Sequence, residues 1–289
     1  MLFIGAHVSA AGGVEYTPKR ANEIGCNCLQ IFSGSPRVWQ KPKLESHNIN
    51  KFFSEREKYG VLSVFTHAIY LVNLASDKSE LVDKSVAALK YDMKFDAWLN
   101  GSGVIVHLGS HQGRGWEAVR VQLAVLIKEI IAASPQESTF LIENSAGQNG
   151  KIGSNLDEIR WLLDKVNSLQ LGWCFDTCHA FATGYSLGGT LQAAESNNFH
   201  SESALRAIER LGLWSTLRCI HVNDSRDEFG SLRDRHANLG EGNIPQEELK
   251  YFLNNPQIKP LPLLLEVPGF DKKGPGAQNV RLLKQLLED

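Results

Sequence analysis

The stretch LGWCFDTCHAFATGY, residues 171–185, opens as a short apolar run and then crowds Cys174, Asp176, Cys178 and His179 into six positions. The run has the length and aromatic content of a buried strand, with Asp176 at its C-terminal end. The two cysteines suit a thiolate metal site or a redox pair. The aspartate and histidine suit a harder cation. What else converges on this strand end decides between them.

The same arrangement recurs along the chain. Apolar runs closed by polar residues occur at FIGAHVS (3–9), CLQIFS (28–33), SVFTHA (63–68), GVIVHLGS (103–110), TFLIEN (139–144), RCIHVND (218–224) and LPLLLEV (261–267), making eight with the first. Between them lie segments with helical spacing of apolar residues, at 78–100, 116–133, 155–169, 203–212 and 276–289. Near-continuous apolar strands alternating with amphipathic helices predict parallel strands covered by helices. Eight such units in 289 residues predict a single (β/α)8 barrel domain spanning 1–289. An open doubly wound sheet is the alternative, but it gives no reason for the pattern to stop at eight.

Seven of the eight runs carry a potential metal ligand at or near their C-terminal end: His7, His67, His107, Glu143, Asp176, His221 and Glu266. In a (β/α)8 barrel those ends meet on one face, where active sites form. Burying that many ionisable groups together without a counter-ion is costly, so the set predicts a metal site. Its donors are nitrogen and oxygen, which suit zinc, manganese or iron and leave Cys174 and Cys178 as packed thiols. The set exceeds what one tetrahedral ion needs, so two or more ions are expected. In the segment 229–245, Asp234 and His236 are two apart, a spacing that aims both side chains the same way in extended backbone. With His179 they make a further ligand set.

These segments resemble the endonuclease IV family. The matching stretches are IGAHVSAAGG (4–13), HAIYLVN (67–73), VHLGSH (106–111), IENSAGQ (142–148), DTCHAFATGY (176–185), HVND (221–224), DRH with LGEGNI (234–244) and LLLE (263–266). The resemblance implies a (β/α)8 barrel with three divalent ions, zinc first, with manganese or iron at one or more sites as alternatives. It places His67, His107 and Glu143 on the first ion. Glu143 would bridge to a second held also by Asp176, His221 and Glu266, and His179, Asp234 and His236 would hold the third. The implied reaction is hydrolysis of the DNA phosphodiester 5′ to an abasic site, leaving a 3′-hydroxyl and a 5′-deoxyribose phosphate. Cleaning of blocked 3′ ends is implied as well. Glu143 and Glu266 are the implied catalytic residues, Glu266 orienting or deprotonating the attacking water. Arg37, Tyr70 and Leu71 fall where family members push side chains into the DNA stack.

The bulk properties fit this reading. A formal charge of −2 is no signature of nucleic-acid binding, but three divalent ions would make the loaded protein net positive around the site. The start of the sequence has no basic leader region, and no apolar run reaches the roughly 18 residues of a membrane span. Five cysteines, an odd number placed mostly in apolar runs, predict reduced thiols in a cytoplasmic protein. A barrel with a complete site of its own predicts a monomer. Cys26 and Cys28 are expected on the second strand, and His47 and His200 at the surface. The competing reading is a sugar isomerase or epimerase of the xylose-isomerase-like barrels, which has no need of the His179, Asp234 and His236 set.

Overall fold

A computed structural model of the chain describes residues 1–188, 200 and 202–287. Ten strands are present among them: β1 (Ile4–His7), β2 (Cys28–Phe32), β3 (Ser63–His67), β4 (Gly103–Val106), β5 (Phe140–Glu143), β6 (Leu171–Asp176), β7 (Leu217–His221), β8 (Asp224–Ser225), β9 (His236–Ala237) and β10 (Leu263–Leu265). Eight of them close a parallel barrel in the order β1, β2, β3, β4, β5, β6, β7, β10 and back to β1. The eight apolar runs are these eight strands. The short pair β8 and β9 forms a separate antiparallel ribbon, with Ser225 opposite His236.

The helices are α1 (Thr17–Glu23), α2 (Ile49–Lys58), α3 (Ser79–Trp98), α4 (Trp116–Ala132), α5 (Leu156–Val166), α6 (Thr177–Ala182), α7 (Ala204–Arg210), α8 (Gln246–Leu253) and α9 (Ala277–Leu287). The five amphipathic segments correspond to α3, α4, α5, α7 and α9; residues 288 and 289 of the last segment lie outside the described residues. Local chemistry sets the ends. The Asn155 side chain accepts the Asp157 N–H at 3.0 Å to start α5, with acidic residues in its first turn and Lys165 in its last. Among the described residues, no helix is long and apolar enough to cross a membrane.

Because side chains alternate along a strand, each barrel strand sends every second residue inward. A plug of Cys28, Phe65, Ile105, Leu141, Cys174, Cys219 and Leu264 packs as its own buried cluster. On the eighth strand the equivalent residue is Gly5, where a Cβ would collide with Leu264 and Cys28. Two residues beyond each plug residue, on the same inward column, come Gln30, His67, His107, Glu143, Asp176, His221, Glu266 and His7. The barrel therefore stacks one polar layer directly on one apolar layer, and the polar layer faces the strand C-termini. A larger apolar cluster fills the space between strands and helices.

Three expectations need correction. Cys26 precedes β2 rather than lying on it, although it is buried. His47 is half-buried, its ring edge-on to Phe95 at 5.6 Å. His200 is half-buried too, stacked on Tyr185 with ring centroids 3.6 Å apart. Both imidazoles find aromatic partners, a preference that polarity-based reading overlooks.

Candidate metal centre

Glu143 sits at the middle of the polar layer, fully buried. Its Oε2 lies 3.2 Å from both His67 Nε2 and His107 Nε2. Its Oε1 lies 3.0 Å from His221 Nδ1, which is in turn 3.2 Å from Glu266 Oε2 and 3.8 Å from Asp176 Oδ2. One carboxylate thus faces a different donor set with each oxygen.

Asp176 joins two parts of the cluster through a capping interaction. It ends β6, and its Oδ1 accepts the His179 N–H at 2.8 Å to begin α6. That cap turns the chain so that His179 Nε2 reaches Asp234 Oδ1 at 3.0 Å. Asp176 Oδ2 accepts from Asn223 Nδ2 at 2.7 Å and lies 3.7 Å from His236 Nε2. His236 is delivered by the β8–β9 ribbon, whose geometry depends on the Asp224 carboxylate. That carboxylate accepts the N–H groups of Ser225 (2.8 Å), Gly240 (3.0 Å), Gly242 (3.1 Å) and Ile244 (3.0 Å). Gly242 must be glycine here, since a Cβ would strike Asp224. The HVND and LGEGNI motifs therefore meet as an acceptor and its donors.

Hydrogen bonds to a ring nitrogen orient two of the imidazoles, whereas His107 Nδ1 is buried without a partner. His67 Nδ1 donates to the Ala68 carbonyl at 2.7 Å, leaving Nε2 for the cluster. His179 Nδ1 donates to the Asn144 carbonyl at 2.9 Å while also lying 3.3 Å from Glu143 Oε1, and its Nε2 faces Asp234. Burial alone would drive the Glu143, Glu266 and Asp234 carboxyls upward. His107 and His221 nevertheless hold Glu143 well below the ordinary carboxylate range, and His221 and His67 hold Glu266 down at about 2. Asp234 is likewise held far below its ordinary value against burial, by His179 and Lys151. Burial lowers His107 and His7 to about 4, so both are neutral donors at physiological pH. Those three carboxylates thus stay ionised, as ligands must.

Four groups place one donor atom per residue within 4.8 Å of one another: His67, His107 and Glu143; His107, His179 and Asp234; Asp176, His179 and His236; and Glu143, Asp176, His221 and Glu266. All nine anticipated ligands are brought together. His179, Asp234 and His236 do not form one closed set; they are shared between two overlapping groups. His7 belongs to none of the four groups, and its Nδ1 is 3.9 Å from Glu266 Oε1. The arrangement fits a cation. His236 Nε2 is buried without a hydrogen-bond partner, 3.6 Å from Asp234 Oδ1, a position that an ion between them would satisfy.

The cluster opens into a cleft of about 840 Å³ lined also by Arg37, Tyr70, Lys272 and Lys273. Arg37 is exposed and Tyr70 is 64% exposed, its ring edge-on to Phe32 at 5.3 Å. Leu71 is half-buried, packs on the core and lines an adjoining cleft beside His107 and Lys151. Two polar contacts of the cluster were not anticipated. Lys151 Nζ bonds Asp234 Oδ2 at 2.9 Å, and the Gln30 amide touches three members of the polar layer. Lys151 gives no sequence signal beyond its place between two glycine turns.

A parallel eight-stranded barrel with a cluster of potential metal ligands at its mouth defines a class, and the family model of the xylose isomerase-like TIM barrel matches residues 18–287. Within that class the chain belongs to the endonuclease IV family. It is 34% identical over 283 residues to the probable endonuclease 4 of Halothermothrix orenii, covering 98% of this chain and 99% of that protein. The crystal structure of endonuclease IV from Thermus thermophilus superposes with a TM-score of 0.83 at 33% identity, covering 98% of each chain. A D-tagatose 3-epimerase-like protein superposes with a TM-score of 0.72 at 18% identity, covering 99% of this chain and 97% of that one, a likeness of fold alone.

Proposed function

We propose that this protein is a metal-dependent DNA-repair endonuclease that hydrolyses the phosphodiester 5′ to abasic sites, leaving a 3′-hydroxyl and a 5′-deoxyribose phosphate. The same site would trim blocked 3′ ends. The observation that carries the reading is a nine-residue cluster of nitrogen and oxygen donors opening onto the cleft that Arg37, Tyr70, Lys272 and Lys273 also line. Family membership supports it. The epimerase reading draws only on shared fold, and it leaves Asp234, His236 and the exposed Tyr70 without a task.

Three ions are proposed, held by His67, His107 and Glu143; by Glu143, Asp176, His221 and Glu266; and by His179, Asp234 and His236, whose donors lie in two overlapping groups that share His179. Zinc suits these donors, with manganese or iron as alternatives. When bound, such ions activate water and neutralise phosphate charge. The chain's own groups supply the rest. Glu143, with each oxygen facing a different donor set, fixes the separation of two sites. Glu266, 16% exposed at its side chain, can accept a hydrogen bond from the attacking water and orient it. Exposed Arg37 and the lysines attract the DNA backbone without regard to sequence. Tyr70 stands on Phe32 as a wedge for the gap left by a flipped abasic nucleotide, with Leu71 behind it. The five cysteines are all free and buried, which fits a reducing cytoplasm; the chain is proposed to work as a monomer.

The test is incision of a duplex carrying one tetrahydrofuran abasic analogue. Cleavage 5′ to the analogue is expected from the zinc-loaded protein, with loss on chelation and in Glu143→Gln. Absence of cleavage, or cleavage undiminished after thorough metal removal, refutes the proposal.

A further inference from the structure

We infer that Gln30 is a positioning residue for the metal-binding mouth, holding His221 in one tautomer and Glu266 in one rotamer at the same time. The inference rests on the metal reading of the cluster given above and extends it to a residue that binds no ion.

Gln30 lies on β2, two residues beyond the plug residue Cys28, and is fully buried. It therefore occupies on the second strand the level at which the other strands present His7 and the ligands of the polar layer. A glutamine is a poor metal ligand there, but its amide makes three hydrogen bonds across the barrel. Nε2 donates to Glu266 Oε1 at 2.5 Å and to His7 Nδ1 at 2.9 Å. Oε1 accepts from His221 Nε2 at 2.7 Å.

The orientation of the amide follows from its partners. An ionised Glu266 can only accept, so the nitrogen must face it and the oxygen must face His221. An amide oxygen can only accept in turn, so the His221 proton sits on Nε2. That leaves Nδ1 unprotonated in the ion-loaded protein, aimed at Glu143 Oε1, Glu266 Oε2 and Asp176 Oδ2. The other Glu266 oxygen is occupied by Gln30, which turns Oε2 toward the same point. Both amide hydrogens and the amide oxygen are used, so no freedom is left to rotate. One side chain thus sets the donor atom of two ligands of the same ion. Outer partners of this kind change metal affinity by roughly 10–100-fold.

Two measurements test this. In zinc-loaded wild-type protein labelled with ¹⁵N, the His221 side chain should show a protonated Nε2 and a metal-bound Nδ1. The opposite tautomer overturns the inference without any variant. In Gln30→Met, which keeps length but has no amide, competition with a chromogenic chelator should show one zinc ion per chain bound at least tenfold more weakly. The remaining zinc should be unaffected, and kcat should fall with KM for the abasic duplex within twofold. Gln30→Met with wild-type zinc affinity and kcat overturns the Gln30 assignment while leaving the proposed function standing. Wild-type protein that binds no zinc sinks the proposed function first, and Gln30 with it. Should Gln30→Met not fold, the wild-type tautomer decides alone.

Discussion

Replacing Asp224 by asparagine should damage the proposed metal centre without touching any of its proposed ligands. Each Asp224 oxygen accepts two backbone N–H groups: Oδ1 from Ser225 and Ile244, Oδ2 from Gly240 and Gly242. The asparagine oxygen can serve one pair only, and its NH2 then confronts the other pair, donor against donor. Two hydrogen bonds to a charged acceptor are lost, worth about 1.5–3 kcal/mol each. Burial pushes the Asp224 carboxyl above its ordinary value despite its four donors, so removing the charge returns part of that loss. A net destabilisation of about 3 kcal/mol is expected.

The local consequence is more informative than the global one. Three of the four donors come from the loop that follows β9, and β9 carries His236 to Asp234 and Asp176. Loosening this hub should cost the affinity of one ion while the sites around Glu143 keep theirs. The assays are urea denaturation of the metal-free proteins and metal analysis after dialysis against graded chelator. Asp224→Asn that unfolds within about 0.5 kcal/mol of wild type, the usual range for a neutral surface change, would refute the hub argument. So would a lowered stability with every ion retained at wild-type affinity, because the link from Asp224 to His236 would then be absent.

Two other outcomes follow from the geometry. Tyr70→Ala should lower the preference for abasic over intact duplex by about tenfold, in line with roughly 1–3 kcal/mol for one stacked ring, and leave metal content unchanged; an unaltered preference would assign Tyr70 to loop structure alone. Asp96, buried and bonded by Ser138 and Thr66, has its carboxyl raised to about 7 by burial. The folded protein therefore holds a proton that the unfolded chain releases near 4, so stability falls as pH rises from about 4 to about 7 and levels off above. Asp96→Asn should flatten that part of the profile relative to wild type in urea titrations, and parallel profiles would contradict the assignment.

The barrel was legible because its two periodicities do not compete. Strands buried on both faces read as short apolar runs, while α3, α4, α5 and α9 keep an apolar stripe long enough to recognise. The short helices α2, α6 and α8 give weaker signals, α8 because its apolar face of Leu249, Phe252 and Leu253 runs over only 8 residues. Every residue of α6 is buried, so TCHAFA has no polar face against which a period could show. In α2 only Phe52 is buried, and one residue defines no period. Overlap within the ligand cluster was also beyond reach. Sharing of His179 between two groups depends on how the Asp176 cap turns the chain, a feature of backbone path that spacing along the sequence does not encode.

Gln30 was missed for a different reason, and the signal for it was present. Histidine and carboxylate at a strand end signal a metal ligand, and an amide there does not. The inward column is a stricter guide than chemical type. Cys174 and Asp176, Cys219 and His221, Leu264 and Glu266 all repeat one pattern, an apolar plug residue followed two positions later by a member of the polar layer. Cys28 and Gln30 repeat it as well. A buried amide at that level must find partners for its two hydrogens and its oxygen, because leaving them unmet costs about 1–3 kcal/mol each. The groups within reach are the neighbours on its own layer, which here are His7, His221 and Glu266. Phase along the strand thus places a residue in the cluster, and only its chemistry then decides whether it holds an ion or holds a ligand.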